Sequence, residues 1–163
     1  VMDLQKLLHT VVEELQPLAA KRGLTLSCEM EGQAAYMIRA DLGKIKQILT
    51  NLIDNAIKYT PKGTIVVRLK RIKQENKILV SITDAGVGIS KETLPKLFDK
   101  FVRSKNAHEV NVSGSGLGLF VVKEIVRAHK GRVWAESEGE NEGSTFFVEL
   151  DAYQGIATAR LSK

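Results

Sequence analysis

Between Asp41 and Tyr59 the chain reads DLGKIKQILTNLIDNAIKY. Apolar residues recur there at three- and four-residue spacing. Leu42, Ile45, Leu49, Leu52, Ile53 and Ala56 form one wide stripe, which predicts an amphipathic helix capped by Asp41. The opposite face carries Lys44, Gln47, Asn51, Asp54, Asn55 and Lys58. Asn51, Asn55 and Lys58 fall at i, i+4 and i+7, so their side chains line up along the helix. Solvated helix faces favour Glu and Lys over Asn, a weak helix former that competes for backbone hydrogen bonds. Such a face is either plain solvated surface or a surface turned toward a charged ligand and its metal. The helix alone leaves both readings open.

The same patterning divides the rest of the chain. Residues 1–23 read as a first amphipathic helix. Asp3 is its cap, Leu4, Leu7, Leu8, Val11, Val12, Leu15 and Leu18 its apolar face, and Gly23 its stop. Pro17 falls inside and is expected to kink or break it. Strands are expected at 24–30, 35–39, 64–72 and 77–83, the last two as an antiparallel hairpin around Lys73–Asn76. A short helix capped by Ser90 is expected to run to about Leu97. Residues 104–113 are polar and aperiodic and read as a mobile loop. A third helix opens after GSGLGL and continues to His129, closed by Gly131. Two final strands at 133–137 and 144–150 flank a Gly-rich turn, and residues 151–163 read as a loose tail. The expected fold is an α+β two-layer sandwich. A mixed, mostly antiparallel sheet of about five strands is covered on one face by three main helices, as a single domain over residues 1–163.

Composition narrows the function classes. With 163 residues and 44% hydrophobic content the chain is long enough for a real core. It contains no eighteen-residue apolar run and no secretory-signal pattern at its start, and a cytoplasmic location is expected. Its one cysteine, Cys28, excludes an internal disulfide and reads as a structural thiol in a strand. The net charge is +5, but the basic residues are scattered, and no nucleic-acid partner is expected. His9 lies alone on the first helix and His129 at the end of the third, both expected in structural roles.

Two Gly-rich stretches carry candidate chemistry. The 77–83 strand runs directly into Asp84-Ala85-Gly86-Val87-Gly88-Ile89. A fixed carboxylate at Asp84 can accept a hydrogen bond from an exocyclic amine such as that of adenine. Gly86 and Gly88, lacking Cβ, would let the backbone approach a flat base. A simple turn accounts for the same residues. The second stretch, Gly114-Ser115-Gly116-Leu117-Gly118-Leu119, precedes a helix whose exposed N–H groups and dipole suit phosphate oxygens. It lacks the Gly-Lys-Ser/Thr ending of a Walker A loop. Its third glycine comes one position early for the dinucleotide fingerprint.

Taken in order, NLIDNAIKYTPKG, DAGVGIS, LFDKFVR, GSGLGLFVVKEI and EGSTFFVEL resemble the catalytic ATP-binding domain of a sensor histidine kinase. That domain belongs to the Bergerat-fold superfamily of gyrase, heat-shock chaperone, histidine kinase and MutL-type ATPases, and the resemblance covers residues 1–150. It implies that Asn55 coordinates Mg²⁺ and that Asn51, a turn earlier, supports metal and phosphates. By the same resemblance Lys58 reaches the phosphates, Tyr59 lies beside the adenine and Asp84 binds the adenine amine. Gly86, Gly88 and Ile89 complete the first glycine box; Gly114, Gly116, Leu117, Gly118 and Leu119 make the second. Phe98 and Phe101 match the F box, a packing and hinge element. Arg103 matches a basic lid residue meeting the γ-phosphate, Thr145 an adenine-pocket hydroxyl, and residues 104–113 the ATP lid.

The resemblance also implies a reaction. Hydrolytic members carry Glu at the position of Asn51 as general base, and an amide cannot accept a proton. Transfer of the γ-phosphate to an external nucleophile is therefore expected, in this family a histidine. The phosphoacceptor motif, His-Glu/Asp followed by Arg-x-Pro on a dimerising helix, is absent. His108-Glu109 repeats its first two letters without a helical pattern around them. The implied cofactors are ATP and Mg²⁺. The implied partners are the dimerisation and phosphoacceptor domain of a parent kinase and, downstream, a response regulator. Membrane attachment would come only through parent segments outside this sequence, and the isolated domain is expected to be a monomer. A regulatory nucleotide-binding module without transfer, and a serine kinase of the anti-sigma type, are the alternatives.

Overall fold

The computed structural model describes residues 1–32, 34–103 and 115–155. In chain order its elements are β1 (Met2–Asp3), α1 (Leu4–Lys21), β2 (Leu24–Glu31), β3 (Met37–Ile38), α2 (Leu42–Lys58), β4 (Gly63–Ile72), β5 (Lys77–Asp84), a 3₁₀ turn (Leu94–Lys96), α3 (Gly118–Ala128), β6 (Arg132–Glu136) and β7 (Ser144–Asp151). Five strands form one sheet in the order β2-β4-β5-β7-β6. The β2–β4 pair is parallel and the other three pairs are antiparallel. The expected mixed, mostly antiparallel sandwich is therefore present. The short strands β1 and β3 pair separately.

A parallel pair needs a crossover, and α2 lies within the one between β2 and β4. It crosses the sheet on the face toward which alternate strand residues point. Ile65, Val67, Leu69, Ile78, Val80, Ile82, Phe146, Val148 and Leu150 are all buried on that side. Ile45, Ile48, Leu49, Leu52, Ile53, Ala56 and Ile57 of α2 meet them. The helix packs between α1 and α3, so its apolar stripe is sealed and its polar face looks away from the sheet. Among the described residues, no helix covers the far face of the sheet. It carries a stacked Trp134–Phe147 pair with ring centroids 5.0 Å apart, and exposed ion pairs such as Arg68–Glu29.

Several local expectations need correction. α1 starts at Leu4, with the Asp3 side chain accepting from the N–H groups of Gln5 and Lys6, and runs unbroken through Pro17. Pro17 is on the exposed side, where the carbonyl left unpaired by the missing N–H meets water, so packing of the opposite face holds the helix together. Leu18 and Leu42, assigned to apolar stripes, are exposed, Leu42 at 58% because it sits in the first turn of α2 beyond the sheet. The Ser90 segment makes only a 3₁₀ turn. Gly131 does not itself end α3. Lys130 takes the left-handed conformation, and Gly131 lets the chain pass against the Glu149 carbonyl of β7. The tail expected from Asp151 is tied down further: Asp151 closes β7, Ala152 N–H donates to Asn76 O, and Tyr153 N–H donates to Met37 O.

Two expected structural roles are supported. Cys28 is half-buried and burial pushes its thiol up to about 11, which leaves it a protonated, unreactive thiol at neutral pH. His129 caps α3, with Nδ1 2.8 Å from Ile125 O, while Nε2 accepts from the backbone N–H of Asp41 at 3.2 Å. That pair of contacts requires the proton on Nδ1 and ties the end of α3 to the start of α2. Among the described residues, no helix is long and apolar enough to cross a membrane. The 104–113 lid segment with His108-Glu109, Gly114, and residues 156–163 of the tail lie outside the described residues.

Candidate active site

The polar face of α2 is one wall of a cavity of about 240 Å³. Asn51, Asp54, Asn55, Lys58 and Tyr59 come from α2 and its C-cap, and Asp84 from the end of β5. Val87, Gly88 and Ile89 follow from the loop after β5. Val102, Arg103, Ser115, Gly116, Gly118 and Leu119 close the other side, and Ala56, Leu97, Ser144 and Phe146 complete the interior. The amide line of α2 therefore faces a cavity that both glycine-rich stretches also line.

Asp84 is 6% exposed, an unusual position for a carboxylate. The Gly86 N–H donates to its Oδ1 at 2.9 Å, and the Ser144 hydroxyl donates to its Oδ2 at 2.7 Å. Burial pushes its pKa above the usual carboxylate range. The hydrogen bonds from Ser144 and Gly86 pull the other way but do not cancel it. Gly86 and Ser144 hold the carboxylate through hydrogen bonds to both oxygens, which leave it acceptor capacity for a further donor. Asp84 is thus a held acceptor at the inner end of the cavity.

The glycines work differently from the expectation. A Cβ on Gly86 would strike the Tyr59 carbonyl, and one on Gly88, where φ is +68°, would strike the Gly139 carbonyl. Protein backbone fills those positions, not a ligand. The loop after β5 is clamped by Val87 N–H to Tyr59 O at 3.0 Å, Gly143 N–H to Gly86 O at 3.1 Å and Asn141 N–H to Val87 O at 2.7 Å. Gly86 does not line the cavity. Gly116 lets the chain pass the Phe101 backbone and accepts its N–H at 3.0 Å. Gly118 is the exception. It lines the cavity, and a Cβ there would meet no atom of the described residues within 4 Å.

Gly118 is also the first residue of α3, whose N-cap Leu117 supplies no side-chain hydrogen bond. The first turn of α3 begins at the cavity edge, where the helix dipole favours an anion. Leu117 itself does not line the cavity. Lys58 does, and its ammonium is held by Asp54 at 2.7 Å. Of the two residues matched to an F box, Phe98 packs edge-on against Phe146 at 6.2 Å, whereas Phe101 is 71% exposed.

Thr145 is on the wrong side of the sheet for its expected role. Its hydroxyl lies 3.1 Å from that of Thr83, and it does not line the cavity. Side chains alternate along β7, so Ser144 and Phe146 point inward with Asp84, and Ser144 is the β7 hydroxyl that lines the pocket. That parity was available in the sequence, since Ser144 shares its phase with Phe146, Val148 and Leu150. Asp54 was visible on the polar face of α2 but carried no expected role. Val87, Leu97, Val102 and Phe146 lie within the quoted motifs but carried no expected site role.

No group of three or more His, Cys, Asp or Glu side chains that could hold a metal occurs among the described residues. The cavity instead offers the amide oxygens of Asn51 and Asn55, hard donors of the kind Mg²⁺ takes when phosphates and water supply its other ligands.

Comparison with known proteins agrees with this geometry. Residues 40–154 match the family described as histidine kinase-, DNA gyrase B-, and HSP90-like ATPase. The sensor histidine kinase WalK of Bacillus subtilis is 41% identical over 111 residues, which are 67% of this chain and 18% of WalK. The adaptive-response sensory kinase SasA of Synechococcus elongatus is 35% identical over 150 residues, covering 92% of this chain and 38% of SasA. The chain thus spans well under half the length of these relatives. Among solved structures, full-length ShkA in complex with AMPPNP superposes with a TM-score of 0.82 at 27% identity, over 94% of this chain and 31% of ShkA. The catalytic domain of histidine kinase ThkA in a nucleotide-free form gives a TM-score of 0.77 at 28% identity, over 91% of this chain and 93% of that one. On the match over residues 40–154, this chain belongs to the histidine kinase-, DNA gyrase B- and HSP90-like ATPase family.

Proposed function

We propose that the chain binds Mg²⁺–ATP and transfers the γ-phosphate to a histidine on a separate dimerisation domain, as the catalytic module of a two-component sensor kinase. The observation that carries this reading is the one cavity shared by Asp84, the Asn51-Asn55-Lys58 line and the start of α3 at Gly118. Family membership and the AMPPNP complex of ShkA support the nucleotide.

In this reading Asp84 accepts the exocyclic amine of adenine, and guanine, which has an oxygen there, is disfavoured. Tyr59, Ile89 and Phe146 supply apolar walls for the base. The triphosphate runs along α2 toward the start of α3, where Lys58, Arg103 and the N–H groups near Gly118 balance its charge. Asn55, supported by Asn51, would hold Mg²⁺, which supplies charge neutralisation on the phosphates when bound. The acceptor imidazole nitrogen attacks the γ-phosphorus, the bond to the β,γ-bridging oxygen breaks, and ADP leaves. Asn51 cannot take a proton from water, which favours an external nucleophile over hydrolysis. The partners are then a phosphoacceptor domain of the parent kinase and a response regulator beyond it, in the cytoplasm.

The test is incubation of the chain with Mg²⁺, γ-labelled ATP and the dimerisation domain of the parent kinase. Acid-labile label on a histidine supports the reading. Acid-stable label indicates a hydroxyl acceptor and the serine-kinase alternative. Binding without any transfer indicates a regulatory module.

A further inference from the structure

Asp54 is out of place in a cavity that is to receive a polyphosphate. It lines the same cavity as Asn51, Asn55 and Lys58, and its Oδ2 holds the Lys58 ammonium at 2.7 Å. Both side chains are partly exposed, at 26% for Asp54 and 41% for Lys58, so both are within reach of a ligand. The pair has the favourable i,i+4 order on α2, acid before base. Helix support alone does not require the pair to face the cavity, however. A carboxylate there repels phosphate and competes with it for the same ammonium.

We propose that Asp54 is a positioning residue for Lys58, an internal counterion that parks the ammonium at the cavity wall and surrenders it to nucleotide phosphates. This rests on the nucleotide reading above and deepens it. Without nucleotide, the carboxylate neutralises Lys58 and fixes where it waits. With nucleotide, the ammonium exchanges one anionic partner for another. Every phosphate complex then includes the cost of breaking the Asp54–Lys58 pair and of leaving a carboxylate beside the phosphates. The same pair re-forms as phosphate departs, which favours product release.

The consequence is a graded effect of Asp54→Asn, which keeps the side-chain shape and removes the charge. Affinity is measured by calorimetry for ATP, ADP and adenosine with Mg²⁺ present, on the full chain, wild type and variant. The variant is expected to bind ATP about two- to fivefold more tightly, ADP less so, and adenosine as wild type does, the size being that of a partly exposed charge pair. The gain should shrink at high salt. It should also shrink in a Lys58→Met background, where there is no ammonium left to contest. Asp54→Glu, which can still reach Lys58, should behave as wild type. A role in helix stability alone would change the melting temperature and leave all three affinities in proportion, and that result overturns the proposal. So does weaker Mg²⁺-dependent ATP binding in Asp54→Asn, which would make the carboxylate a metal ligand. Should Asp54→Asn fail to fold, Asp54→Ser carries the same expectation. Wild-type chain that binds no ATP removes the nucleotide reading itself; wild type that binds ATP with a flat variant series removes only the role of Asp54.

Discussion

The Ser144 hydroxyl donates a 2.7 Å hydrogen bond to Asp84 Oδ2, and the two residues face each other in the β5–β7 ladder. Register, not sequence proximity, brings them together: 60 positions separate them. The contact keeps the buried carboxylate oriented and limits how far burial raises its pKa.

Asp84→Asn should separate binding from folding. Exchanging a charged acceptor for an amide that also presents N–H toward the ligand is expected to cost about 1.5–3 kcal/mol of adenine binding, or roughly ten- to a hundredfold in affinity. The fold should not suffer. A carboxyl with a raised folded-state pKa holds its proton more tightly folded than unfolded. Its contribution is therefore most favourable at low pH and declines as pH rises through the ordinary carboxylate range to the raised value. The variant lacks that decline. Its melting temperature should match or exceed that of wild type at neutral pH, and the gap should close in acid. A thermal melt series across pH checks this.

Adenosine binding should weaken as pH falls through the raised pKa of Asp84, because the protonated carboxyl loses acceptor capacity. Adenosine avoids the titration of the phosphates themselves. Ser144→Ala removes a hydrogen bond that stabilises the ionised form, so its loss of binding should begin at a higher pH. Coincident profiles for the two proteins would show that this contact does not govern the site.

Gly88→Ala and Gly118→Ala should have opposite signatures. Gly88 has φ of +68° and its added methyl would enter the Gly139 carbonyl, so a loss of about 1–3 kcal/mol or more in stability is expected by denaturant melt. Gly118 begins α3 and faces open space, so alanine there should leave stability unchanged or improve it by up to about 1 kcal/mol. The methyl would project into the cavity, and nucleotide affinity is where its effect should appear.

Asn55→Ala should abolish the Mg²⁺-dependent part of ATP binding. The ratio of affinity with Mg²⁺ to affinity with a chelator should fall by about ten- to a hundredfold, while affinity for adenosine stays unchanged. An unaltered ratio would remove Asn55 from the metal assignment.

Pro17→Ala should stabilise the chain, by up to about 3 kcal/mol in a chemical melt, since α1 is already continuous there and alanine restores the missing N–H.

Most of the architecture was legible along the chain. The 3.6-residue stripe of α2, the alternation in β4, β5 and β7, and the Asp caps at 3 and 41 are local signals, written by the same physics that forms each element. Asp84, Asn51, Asn55, Lys58 and Arg103 were also singled out from sequence, and the fold brings all five to one cavity. Three other kinds of information were not local. The parallel pairing of β2 with β4 depends on where α2 returns the chain. Phe101 and Leu42 are exposed, although both are large and apolar. Gly86 and Gly88 are glycine because backbone from Tyr59 and Gly139 occupies the space a Cβ would need.

The sequence by itself determined most of the elements, the family resemblance and the candidate site residues, because periodicity, caps and motif spacing are properties of neighbours along the chain. The tertiary structure alone decided which hydroxyl meets Asp84, which glycine leaves room for a ligand, and that Asp54 holds Lys58 at the cavity wall. Those depend on strand parity, on backbone from distant segments, and on which way a partly buried side chain turns. Each is fixed only when the sheet and helices close on one another.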